Sequence, residues 1–116
     1  MSLWDRMRTG AAGSGVRRSA SEGDSEHLRA WTRARDGVEA FVEPRTMMTE
    51  TTMLLVAKDG EWTRRRVGGP GAARKLARSM GIPIYDVQLL GYPGRMRDYD
   101  ARQRALRNRE RRRELG

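Results

Sequence analysis

Two short segments joined by Asp59-Gly60 constrain this chain more than any other feature. Thr51 to Ala57 (Thr-Thr-Met-Leu-Leu-Val-Ala) is a near-continuous apolar run, and Glu61 to Val67 follows the dipeptide. Asp-Gly between two such segments signals a β-hairpin, because a type I′ turn requires positive φ at both central residues. A segment apolar on both faces belongs at the centre of a sheet. A two-residue turn fixes the register: Lys58 faces Glu61, Ala57 faces Trp62, Leu55 faces Arg64 and Met53 faces Arg66. That register puts Trp62, Arg64 and Arg66 on the face of Leu55 and Met53, and Arg65 on the other face with Leu54, Val56 and Thr63. Three consecutive arginines mark an edge strand that resists further pairing.

The rest of the domain follows from periodicity and turn chemistry. Val38, Ala40 and Val42 alternate with Glu39, Phe41 and Glu43, which is strand spacing, and Pro44 ends that strand. Gly68-Gly69 breaks the hairpin's second strand, and Pro70 suits a first helical turn. Ala73, Leu76, Ala77 and Met80 then form an apolar stripe at i, i+3, i+4 and i+7, with Arg74, Lys75 and Arg78 opposite. Gly81 is a C′ residue. Ile82 to Leu90 reads as a last strand, with Tyr85, Val87 and Leu89 on one face, before the turn cluster Gly91-Tyr92-Pro93-Gly94. Met96 to Glu114 favours a helix with little apolar face beyond Met96, Tyr99 and Leu106.

The predicted fold is therefore α+β: a small β-β-β-α-β domain, mostly antiparallel, with one packed helix. Residues 1–36 are predicted to be a mostly disordered arm, 37–100 the folded domain, and 101–116 an Arg-rich helical tail. From Gly10 to Ser25 the arm is Gly, Ser, Ala and charge, too little apolar surface to offset chain entropy. Within it, Glu26 to Arg35 can form a short helix capped by Ser25, with Leu28 and Trp31 available to dock.

Charge is unevenly spread. The chain of 116 residues carries +9, yet the last sixteen residues hold seven arginines against two glutamates, while 37–100 is nearly balanced. The tail arginines are Arg102, Arg104, Arg107, Arg109, Arg111, Arg112 and Arg113, with Gln103 and Asn108 between them. Guanidinium forks match phosphate oxygens and stack on bases, and Arg-rich segments commonly fold on RNA. The composition is similar to viral arginine-rich RNA-binding peptides. The expected partner is nucleic acid, RNA before DNA, with the ribosome as one setting. A solvated tail and an acidic protein or membrane surface are the competing readings. A second basic group joins Arg64, Arg65 and Arg66 to Arg74, Lys75 and Arg78 if the helix packs beside the hairpin. The alternative is that Arg64 and Arg66 are spent on cross-strand ion pairs. Trp62 is either a stacking platform or part of the core.

Catalytic chemistry finds little footing. There is no cysteine, so disulfides, thiolate nucleophiles and Cys-based zinc sites are excluded, as suits a reducing cytoplasm. His27 is the one histidine, which excludes a His-rich metal site. Asp98 and Asp100 are two apart and do not share a helix side. Gly68-Gly69-Pro70-Gly71 lacks the Gly-Lys-Ser/Thr ending of a nucleotide loop and reads as a connection. No cofactor is expected. No run reaches the roughly 18 apolar residues of a membrane helix, and neither Arg6 and Arg8 nor Arg17-Arg18 is followed by an apolar export segment. Ser19 and Ser21 follow Arg17-Arg18 in a pattern that basophilic kinases accept.

From Val38 to Arg102 the chain resembles a family of small uncharacterised actinobacterial proteins. The resemblance rests on Val-Glu-Ala-Phe-Val-Glu-Pro-Arg-Thr (38–46), Thr-Glu-Thr-Thr (49–52), Gly-Glu-Trp-Thr-Arg-Arg-Arg (60–66), Ile-Pro-Ile-Tyr-Asp-Val (82–87) and Gly-Tyr-Pro-Gly-Arg-Met-Arg-Asp-Tyr (91–99). It implies an actinobacterial origin. Some members bear a generic oxidoreductase name, but no dinucleotide fingerprint, flavin motif, Cys pair or metal set accompanies it here. The leading expectation is an accessory nucleic-acid-binding module. A protein-interaction adaptor comes second, and an oxidoreductase-like role follows from the family name.

Overall fold

A computed structural model describes residues 21–116. The expected disorder of residues 1–20 lies outside the described residues. In chain order the elements are α1 (Glu22–Arg33), β1 (Glu39–Glu43), β2 (Thr52–Val56), β3 (Trp62–Arg66), α2 (Pro70–Met80), β4 (Ile84–Asp86), α3 (Val87–Leu90) and α4 (Gly94–Leu115). The fold is α+β around one four-stranded mixed sheet in the order β3-β2-β1-β4. β1 and β3 both pair antiparallel with β2, and β4 lies parallel to β1. The apolar strand β2 is interior and the Arg-rich β3 is an edge, as its composition implies.

The hairpin register differs from the expected one by a single residue. Val56 pairs with Trp62, Leu54 with Arg64, and Met53 with Arg65. The loop holds three residues, Lys58, Asp59 and Gly60, because Ala57 and Glu61 are still paired: the Ala57 N–H donates to the Glu61 carbonyl at 2.8 Å. The Gly60 N–H closes the turn on the Ala57 carbonyl at 3.0 Å, Gly60 has φ +98°, and the Glu61 N–H donates to the Asp59 carboxylate at 3.0 Å. This is the glycine-terminated three-residue hairpin, which Asp-Gly serves as well as the two-residue one. A one-residue slip moves every side chain of the strand to the other face. Trp62, Arg64 and Arg66 therefore share a face with Val56, Leu54 and Thr52.

The two faces have separate cores. On one, α1 and α2 pack over Ala40, Val42, Met53 and Leu55 through Leu28, Trp31, Ala73, Leu76 and Ala77. On the other, Phe41, Leu54, Val56, Trp62 and Tyr85 receive Met96 of α4. α1 thus belongs to the folded unit, which includes residues before 37. Ser21, not Ser25, is its N-cap: the hydroxyl accepts from the Asp24 N–H, and the Asp24 carboxylate accepts from the Ser21 N–H in return. The predicted last strand is also shorter. Asp86 accepts from the Gln88 N–H and caps the single-turn α3, which turns Leu89 and Leu90 out to solvent.

Candidate nucleic-acid interface

α4 is held to the sheet by its first two turns. Met96 is buried between Phe41, Leu54 and Val56. Arg95 reaches across the strand ends, donating to the Ala57 carbonyl at 2.9 Å, the Val56 carbonyl at 3.3 Å and the Glu39 carboxylate at 2.7 Å. The Trp62 indole N–H donates to Asp100 at 3.0 Å. Arg102 donates to the Asp59 carbonyl at 2.7 Å and stands 5.8 Å from the Tyr99 ring. The helix backbone passes so close to the hairpin that a Cβ on Gly60 would lie 2.1 Å from the Arg95 carbonyl oxygen. The glycine is therefore needed twice, for its φ and for this contact.

Beyond Gln103 the helix leaves the domain. Every residue from Arg104 to Gly116 is exposed, and this stretch carries six arginines against Glu110 and Glu114. Of the seven tail arginines, only Arg102 has a partner in the folded domain among the described contacts. A long helix with no apolar face for most of its length draws nothing from the core.

The structure does not join the second basic group into one surface. Arg64 and Arg66 lie on the sheet face that receives α4, whereas α2 packs on the opposite face with Arg74, Lys75 and Arg78 exposed on its outer side. Arg64 is held in a two-pronged ion pair by Glu43, at 2.7 and 2.9 Å, and its guanidinium sits 5.2 Å from the Trp62 ring. Thr52 and Tyr92 donate to the same carboxylate. Burial pushes the Glu43 carboxyl up, but the bonds from Arg64, Thr52 and Tyr92 outweigh it and hold the group below its ordinary 4.5. The hydrogen bond to Glu43 and burial raise Tyr92 above 10.0. Trp62 is wedged between Val56, Arg64 and Asp100, so it is a packing residue and not a free platform.

Two features had no counterpart in the sequence reading. A groove of about 680 Å³ runs along the β3 edge between the start of α1 and the β1–β2 connection, lined by His27, Thr49, Thr52, Arg65 and Arg66 among others. In it His27 bonds Thr63 at 2.8 Å, and Arg65 lies 3.6 Å from Asp24. Burial, reinforced by the Arg65 and Arg35 cations and opposed by Asp24, holds the His27 imidazole below its ordinary 6.5. The second feature is apolar. Met47, Met48, Leu89, Leu90 and Tyr92 are exposed in segments that leave the C-terminal ends of β1 and β4, two adjacent parallel strands. Met47 and Met48 sit in a polar run with no periodicity, and the exposed leucines arise only because the last strand stops at Asp86.

Among the described residues no group of three His, Asp or Glu side chains could hold a metal, and no helix is long and apolar enough to cross a membrane. Comparison of the chain with protein-family models, curated proteins and solved structures finds no match.

Proposed function

We propose that the protein binds nucleic acid through the free half of α4. The observation that carries this reading is the helix from Arg104 onward, exposed on every side and carrying six arginines against two glutamates. Such a segment contributes nothing to the core, so its charge is available to an external polyanion. Guanidinium groups bind phosphate oxygens in a fork that lysine cannot reproduce. The domain acts as the mount, because Arg95, Met96 and Asp100 fix where the helix leaves it. Arg64 is neutralised by Glu43 and plays no part in this interface. The exposed apolar group at Met47, Met48, Leu89, Leu90 and Tyr92 favours a second reading, a protein-interaction adaptor, since Met-rich exposed surfaces suit protein contacts. An oxidoreductase-like role rests on the family resemblance alone.

The test is a salt titration. If four or five of the tail arginines engage phosphates, log K falls with log salt at a slope of roughly −3 to −4.5. Deleting residues 103–116 removes most of that slope and leaves the melting temperature within a few degrees of the parent. Failure of the full chain to bind either RNA or DNA at about 50–100 mM salt ends this reading, and protein partners that survive nuclease treatment then favour the adaptor.

A further inference from the structure

The order of residues around α4 selects among nucleic acids. Residues three, four and seven apart share a side of a helix. The side that meets the domain runs through Met96, Tyr99 and Gln103, and continues past the domain as Leu106, Arg107, Glu110 and Glu114. The opposite side carries Ala101, Ala105, Asn108 and Arg112, all exposed. Two arginine pairs flank these sides: Arg104 and Arg111 on one flank, Arg109 and Arg113 on the other. Arg102 begins the second flank but is occupied by the Asp59 carbonyl, and Asp98 precedes it there, so the open length starts at Ala101. The tail's two acids thus sit together on the stripe that continues the domain-facing side.

We propose that α4 is a major-groove helix for B-form duplex DNA. The inference deepens the nucleic-acid reading above and rests on it. In B-DNA the major groove is about 12 Å wide and admits an α-helix, whereas the A-form major groove of RNA is too deep and narrow for side-chain readout. A helix lying in a groove needs cations on both flanks, one for each phosphate wall, and a low floor between them. Ala101 and Ala105 supply the low floor. Asn108 and Arg112, four apart, project from the same side, and their chemistry matches base edges: Asn pairs twice with adenine, Arg twice with guanine. Glu110 and Glu114 point back out of the groove, on the side where the domain stands. The open stretch from 101 to 113 is about 20 Å long, so the contact is a short one of a few base pairs.

The deciding experiment titrates the full chain against duplex DNA, duplex RNA of the same sequence and single-stranded RNA at about 100 mM salt. The expected result is at least about tenfold tighter binding to DNA than to either RNA, with a salt slope of about −3.6 from the four flank arginines. Arg104→Ala or Arg111→Ala reduces the slope by about one and weakens all DNA sequences alike. Asn108→Ala and Arg112→Ala flatten the preference among DNA sequences instead, with a smaller effect on the slope. Glu110→Gln leaves the sequence preference unchanged. All these positions lie beyond the docked turns, so the variants fold. Equal or tighter binding to RNA overturns the inference while the nucleic-acid reading stands. Absence of binding to all three removes that reading itself.

Discussion

Gly60 shows how much one position can settle. Its φ of +98° permits the three-residue turn, and its missing side chain lets α4 pass at the Arg95 carbonyl. Gly60→Val is expected to cost more than about 3 kcal/mol, because the clash adds to the roughly 1–3 kcal/mol of backbone strain alone, as read by urea denaturation. A variant as stable as the parent would remove both the turn and the docking as described. The same turn shows where sequence reading reached its limit. Asp59-Gly60 announces a hairpin but not its length, since Gly60 alone in the left-handed region serves a three-residue loop. The pattern could not choose either, because β2 is apolar on both faces and pays no penalty for a slip. Arg64 and Arg66 were therefore expected beside Met53 and Leu55, and are found beside Leu54 and Thr52.

At the scale of elements, strongly periodic segments were legible and short or interrupted ones were not. The stripe Ala73, Leu76, Ala77 and the left-handed Gly81 mark α2, and the run at β2 marks an interior strand. α1 was half-hidden because its first turn, Glu22-Gly23-Asp24, continues a Gly- and Ser-rich stretch; Ser21 three before Asp24 was the available signal. The two signals that bound β4 within Ile82 to Leu90 are single residues: Pro83, just before the strand begins, and Asp86, whose carboxylate starts the next turn. The joint between α1 and β3 has a testable pH dependence. The folded state keeps His27 neutral, with its pKa lowered, while the unfolded chain takes up a proton near 6.5. Stability is thus fully present above that value and declines as pH falls below it toward the folded-state pKa. The melting temperature should fall between pH 7.5 and 5.5, a window above ordinary carboxylate titration, and His27→Gln should flatten that segment. An equal fall in the variant would assign the effect elsewhere.

Across the whole molecule, the sheet carries helices on both faces, but unequally. α1 and α2 cover one face broadly, and α4 touches the other mainly through Met96. The first cover is not optional. Removing residues 1–36 strips Leu28, fully buried, and Trp31 from Met53 and Leu55. Losing one large buried side chain costs about 2–5 kcal/mol, against a total of about 5–15 kcal/mol for a domain. The shortened chain should show no cooperative melting transition by calorimetry. A transition close to the parent's would mean that the sheet and α2 suffice.

The two docked turns of α4 also act as a seed. An isolated peptide of the tail's length stays mostly coil, because starting a helix fixes several residues for a single hydrogen bond. In this protein the start is already made against Gly60, Trp62 and Met96, so each later residue only extends a helix that exists. The ordering of the tail is thereby charged to the folding of the domain, and a partner meets a helix that need not be assembled on its surface.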